Sequence, residues 1–221
     1  MKLSILFLLF TLSVFSQKHE KFTGKLVYEI TMVDTSLQKI YPKKEMVIFT
    51  NDTIVRIENE TKQFGKQILI KHTVLNKSYL LLNDGLNKFA IQTDLSKKIK
   101  PDTNNFQPVY KKKCGSKKIL NYKAKKLKVT SNKESQPTEI LYIKKISPKY
   151  IEAYNNSPGL PVKYTIKTSE GLVLYQLKSI KSYSPDHDLF GIPSDFRKIS
   201  FDNFINIMYN NKNNEIQPKQ P

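Results

Sequence analysis

Disulfide staples, arginine forks and glycine-rich phosphate loops are all but missing from this chain of 221 residues. Cys114 is its only cysteine, so no bond within the chain can cross-link it and stability has to come from a buried core. The lone thiol, preceded by Lys111-Lys112-Lys113, either stays free or pairs between chains. Only Arg56 and Arg197 are arginines. Bidentate recognition of phosphate or guanine favours the planar guanidinium over an ammonium, so nucleic acid is not an expected partner. With seven glycines and no G-x-S-x-G, H-E-x-x-H or C-x-x-C, the usual hydrolase, zinc and redox signatures are absent. Of the histidines His19, His72 and His187, only His187 has an acid on each side, in Asp186-His187-Asp188. Adjacent loop residues cannot all reach one ion without partners from elsewhere, so this cluster reads as a solvated turn. No catalytic residue, cofactor or metal site is assigned, and an enzyme is not expected.

Long apolar runs are also scarce. The one present is Leu3 to Phe15, behind the positive Met1-Lys2 and ahead of Ser16. It is too short to span a bilayer stably and has the three-part pattern of a secretory signal peptide. The expected leader is 1–16, cleaved before Gln17, with no cysteine nearby to accept a lipid. The protein is therefore expected to be exported, to the periplasm or in association with the outer membrane.

What the chain has in excess is lysine. The formal net charge is +18 at pH 7, and between Lys97 and Lys133 thirteen lysines face a single acid, Asp102. Lys111, Lys112, Lys113, Lys117, Lys118, Lys125, Lys126 and Lys128 are the candidate contacts to an anionic surface, such as a membrane.

From Phe22 onward the apolar residues recur with a period of two. Leu26, Tyr28, Ile30 and Met32 share one face of a strand. Further strands are predicted over 46–49, 54–57, 67–75, 78–82 and 86–92, joined by tight turns at Asn51-Asp52, Asn76-Lys77 and Asn83-Asp84-Gly85. The lysine-dense middle alternates as well, over 119–122 and 127–130, after a loop at 94–107 that contains Pro101. Residues 138–144 form a strand, and 162–168 and 172–182 a long hairpin through Ser169-Glu170-Gly171. Ser147-Pro148 starts a short helix to about Tyr154. Ser200 caps another, with Phe201, Phe204, Ile205 and Met208 at i, i+3, i+4 and i+7. The fold class is thus mostly β: one domain over 17–209, a curved antiparallel sheet or half-barrel covered by short helices. A disordered tail is expected over 210–221.

Four segments in order carry a family resemblance: Phe22 to Ile30, Cys114 to Lys126, Ser157-Pro-Gly-Leu-Pro161 and Phe190-Gly-Ile-Pro-Ser-Asp-Phe196. Together they resemble the GLPGLI-type proteins, exported proteins of Gram-negative bacteria. Asn121 stands where that family usually has glycine, Ala124 where a cysteine is frequent, and Pro161 interrupts the name-giving motif. The resemblance implies a fold like the periplasmic lipoprotein carriers, a half-barrel closed on one side by helices, and no catalytic residues come with it. The function expected from this is a non-enzymatic envelope protein that binds an apolar ligand, a lipid or lipoprotein acyl chain, in the half-barrel groove. The alternative is a structural or assembly factor that works through contacts with another envelope protein.

Overall fold

The computed structural model describes residues 19–61, 65–83, 85, 87–94, 108–130 and 137–215, without the side chains of Asp94 and 209–215. The expected leader over 1–16 and residues 95–107 of the expected loop lie outside this set. No helix among the described residues is long and apolar enough to cross a membrane.

The strands predicted from alternation form, and they join a single sheet. Its members are β1 (Gly24–Met32), β2 (Lys44–Thr50), β3 (Ile54–Thr61), β4 (Gly65–His72), β5 (Lys77–Asn83) and β6 (Lys88–Asp94). The second half adds β7 (Val109–Ile119), β8 (Tyr122–Thr130), β9 (Thr138–Ile143), β10 (Leu160–Lys167), β11 (Leu172–Ser182) and β12 (Arg197–Ser200). The order across the sheet is β12-β6-β5-β4-β3-β2-β1-β11-β10-β9-β8-β7. Two meanders, β1 to β6 and β7 to β11, therefore meet where β1 pairs with β11. Every neighbouring pair is antiparallel except β12 with β6. The result is an open, curved, half-barrel-like sheet with one α-helix, α1 (Phe201–Glu215).

Three sequence expectations need correction. Residues 119–122 are not a strand. Leu120 and Asn121 make the β7–β8 turn, with Leu120 at φ 53°, because Ile119 pairs with Tyr122 and the two residues between them must reverse the chain. The helix expected over 147–154 is a 3-10 turn, Pro148–Tyr150. Ser147 does cap it, accepting from Lys149 N–H, but Ile151 returns to extended backbone. The tail expected over 210–221 is not a tail over 210–215, where α1 continues; residues 216–221 lie outside the description. Ser200 caps α1 as expected, its hydroxyl accepting from Asn203 N–H.

Residues paired across antiparallel strands share a face. One face carries Leu26, Tyr28, Met46, Ile48, Val55 and Ile57, in a core with Leu127, Val129, Ile140, Leu160, Val162, Tyr164 and Leu177. Each such buried side chain contributes roughly 1.5–3 kcal/mol. Farther along the same face, Phe89, Ile91 and Ile199 receive Phe204 of α1. The opposite face carries Ile70, Leu81 and Ala90, against which Ile192 and Phe196 of the β11–β12 connection pack. That connection is held where Arg56 Nη1 donates to the carbonyl of Leu189 at 2.9 Å.

The β9–β10 connection, residues 144–159, lies over the larger core. Tyr150 is buried, its hydroxyl donating to Asp52 at 2.5 Å and accepting from Phe22 N–H at 3.1 Å. Lys149 adds an ion pair to Asp52 at 2.8 Å, and Glu152 reaches Lys71 of β4 at 2.6 Å. A strap from one half of the sheet is thereby clasped to the turn and strand of the other half. Partial burial alone would raise the Asp52 carboxyl, but hydrogen bonds from Lys149 and Tyr150 and the charges of Lys149 and Lys21 outweigh it and hold the group below its usual range.

The strap ends at Gly159, where close approach to β9 demands glycine, since a Cβ there would overlap the Ile143 carbonyl. Gly159→Ala is expected to cost about 1–3 kcal/mol, read as a lowered urea midpoint. Asp52 has a lowered carboxyl, so its contribution is present above pH ~4, its ordinary value, and is lost as pH falls through the folded value. Asp52→Asn is accordingly expected to be less stable than the parent at pH 7 by about 1–3 kcal/mol, and the gap should narrow at pH 3 in paired urea titrations.

Candidate functional site

Two concavities stand out, and they differ in chemistry. The first lies beneath the strap. Met46 of β2, Ile57 of β3, Leu69 of β4 and Leu80 of β5 line one side, and Tyr164, Ile166 and Tyr175 of β10 and β11 line the other. Ile151, Glu152 and Ala153 form its roof. The volume is about 250 Å³. A wider recess of about 420 Å³, bounded by Ile30, Met32, Tyr41, Pro42 and Val173, shares Asn59 and Tyr175 with it. The two form one groove along the core face.

Aromatic packing stiffens the groove wall. Tyr164 stacks on Tyr175 with centroids 5.0 Å apart and planes at 3°, and meets Tyr28 and Tyr154 edge-on. Tyr28 donates to the Pro161 carbonyl at 2.7 Å, and Tyr154 to that of Thr165 at 3.0 Å. Burial pushes the Tyr28 and Tyr164 hydroxyls well above their ordinary range, so these groups act as neutral hydrogen-bonding and packing elements. Asn59, Gln67 and Glu152 bring polar groups to an otherwise apolar lining.

The second concavity, about 390 Å³, is built on the β7–β8 hairpin at the edge of the sheet. Its walls are Lys112, Lys113, Lys123, Lys125, Lys126 and Lys144, and Tyr142 and Pro158 supply apolar surface. Register explains the composition. Along β8 and β9, Leu127 and Ile140 are paired and buried in the core. Two residues on, Lys125 pairs with Tyr142, so the same face turns from apolar to cationic within one repeat. A bulge between Lys113 and Ser116, containing Cys114 and Gly115 at φ 97°, bends β7 beside this patch. Glu139 is the carboxylate there, 2.6 Å from Lys113 and 3.8 Å from Lys126. The hydrogen bond from Lys113, against slight burial, and the charges of Lys113, Lys126 and Lys117 hold Glu139 below the usual range.

Of the sequence candidates, Lys112, Lys113, Lys125 and Lys126 come together in this pocket, whereas Lys111, Lys117, Lys118 and Lys128 are exposed on the same hairpin but do not line it. Sequence reasoning missed Lys123 and Lys144. Strand alternation with Lys125 and Tyr142 was the available signal for both. Cys114 is exposed and free. Among the described residues no three His, Cys, Asp or Glu side chains form a metal-holding group. Asp186 instead caps the 3-10 turn His187–Phe190 by accepting from Asp188 N–H. His72 accepts from Leu75 N–H at 3.1 Å, and His19 lies 3.1 Å from the Lys144 carbonyl.

The sequence matches no family model and no curated protein. Solved structures give matches in fold. Structures of PNGF-II in space groups C2 and P21 cover 85% of this chain at 14% and 13% identity, each with a TM-score of 0.52. The chain spans a third of their length, 33%. MucB in complex with MucA(peri) covers 79% of this chain and 55% of its own, at 12% identity and a TM-score of 0.42.

If Glu139 is tuned by its lysine neighbour, Lys113→Met is expected to move the carboxyl titration of Glu139 upward toward its ordinary value. Carboxyl carbon chemical shifts followed against pH check this.

Proposed function

We propose that this chain is an exported, non-enzymatic binding protein of the Gram-negative envelope, of the GLPGLI type, and that its cargo is an acyl chain held in the groove beneath the strap. The single observation that supports the reading is the unfilled apolar space between the Leu69–Leu80 wall and the Tyr164–Tyr175 stack. Residues of these types ordinarily close such a space when a core is packed to native density. The wider recess, about 420 Å³, falls in the size range of small-ligand sites, roughly 300–1,000 Å³, and the roofed part adds about 250 Å³ beside it.

Magnitudes favour reversible cargo. Each methylene removed from water is worth about 0.8 kcal/mol, and a single myristoyl chain binds a bilayer with an association constant of only about 10⁴ M⁻¹. A groove that accepts one chain on similar terms exchanges it readily with a membrane. The strap, fixed by Tyr150 on one side and Gly159 on the other, would limit how wide a ligand the roofed part admits.

A fluorescent fatty acid titrated into the delipidated protein tests the reading. Saturable binding is expected, and Ala153→Trp, which fills the roofed part from above, is expected to weaken it tenfold or more. Native and delipidated mass spectra with identical masses, together with no fatty-acid binding by the parent, would overturn the proposal.

A further inference from the structure

The lysine pocket is separate from the acyl groove: the two share no lining residue, and Leu160, Val162 and Ile140 fill the core with none of them lining either. Its charge is concentrated at a cost. Lys111 stands opposite Lys128, Lys113 opposite Lys126 and Lys118 opposite Lys123 across the hairpin, and like charges directly opposite destabilise a strand pair. Elsewhere the chain spaces carboxylates among its lysines, as with Glu29 between Lys43 and Lys178, or Glu58 beside Lys66. Around the pocket Glu139 serves both Lys113 and Lys126. Among the described residues no carboxylate ion pair holds Lys112, Lys123, Lys125 or Lys144.

Keeping a sheet edge from associating needs charge along the edge, and outward lysines such as Lys111 and Lys117 supply it. It does not need lysines from β7, β8 and the residue after β9 converging on one recess. We propose that this recess is a binding site for a multiply charged phosphate group. Ammonium groups serve phosphate as point charges, with no requirement for the planar fork of arginine. Several converging ammoniums match a ligand that carries more than one negative charge. Ser116 adds a hydroxyl donor, and the half-buried Pro158 gives a sugar or glycerol portion an apolar surface to rest on. The phosphate comes either from a soluble molecule or from a lipid headgroup at a membrane surface.

Calorimetric titration of the full mature chain with inorganic pyrophosphate at 0.1 M salt, where exposed charges more than about 10 Å apart are screened, is the test. One saturable site is expected. The triple variant Lys123→Ala/Lys125→Ala/Lys144→Ala should bind at least tenfold more weakly. The triple Lys111→Ala/Lys117→Ala/Lys128→Ala removes the same charge from the same region and should stay within threefold of the parent. Should the first triple fail to fold, Lys125→Glu alone carries the same expectation. Sedimentation with phosphatidylcholine vesicles containing a fifth phosphatidic acid separates the sources. Vesicle binding that pyrophosphate competes away identifies the headgroup, whereas pyrophosphate binding without vesicle binding identifies a soluble phosphate. Equal weakening in the two triples, or a parent that binds neither probe, overturns the proposal. The fatty-acid titration of the groove is indifferent to either result, so failure of this site and failure of the acyl reading are told apart.

Discussion

A sheet with an apolar face cannot leave that face in water, and among the described residues a single α-helix covers only the end near β6 and β12. Much of the larger core is covered by the chain's own β9–β10 connection, so the clasp between Tyr150 and Asp52 carries much of the architecture. It joins the turn after β2 to a segment 98 residues further along the chain. The buried hydroxyl also satisfies Phe22 N–H at the approach to β1. An unpaired buried polar group costs about 1–3 kcal/mol, so each partner constrains the other two. The roof of the groove, Ile151 to Ala153, follows from that placement.

The two concavities divide the labour of one strand face. Along β8, Val129 and Leu127 are buried while Lys125 and Lys123 are exposed, all at alternate positions of one strand. Nothing in the backbone changes between them except the bulge in the neighbouring strand. Apolar and cationic surfaces are thus produced by the same pleat, and their boundary is set by side-chain identity. Two such surfaces would treat an oily and an anionic group by independent physics, the second strongly dependent on salt.

Strand positions were legible because alternation survives in nearly every hairpin, from Leu26, Tyr28 and Met32 through the 162–182 pair. The α1 cap at Ser200 was legible for the same local reason. What escaped was set by distant partners. Arg197–Ser200 looks like the approach to a helix, and only parallel pairing with β6 makes it a strand. Ser147-Pro148 is a good helix start, but burial of Tyr150 and Ile151 draws the chain into extended backbone after one turn. The lysine hairpin was read as a charged surface, yet its division into pocket and rim depends on the bulge at Cys114-Gly115 and on the position of Lys144. The groove was readable only as a possibility, because the same Leu, Ile and Tyr types line a cavity or fill it.

β1 is made first yet sits at the middle of the sheet, flanked by β2 and by the penultimate strand β11. Until β11 arrives, one side of β1 offers its row of amides and carbonyls to any passing strand. A chain synthesised in order holds that unpaired margin open until nearly all of it has been made. Pairings of such long range also fold slowly. The lysines spread through the intervening segments keep nascent copies apart by mutual repulsion during that interval, so the charge that burdens the finished hairpin also protects the chain before it has one.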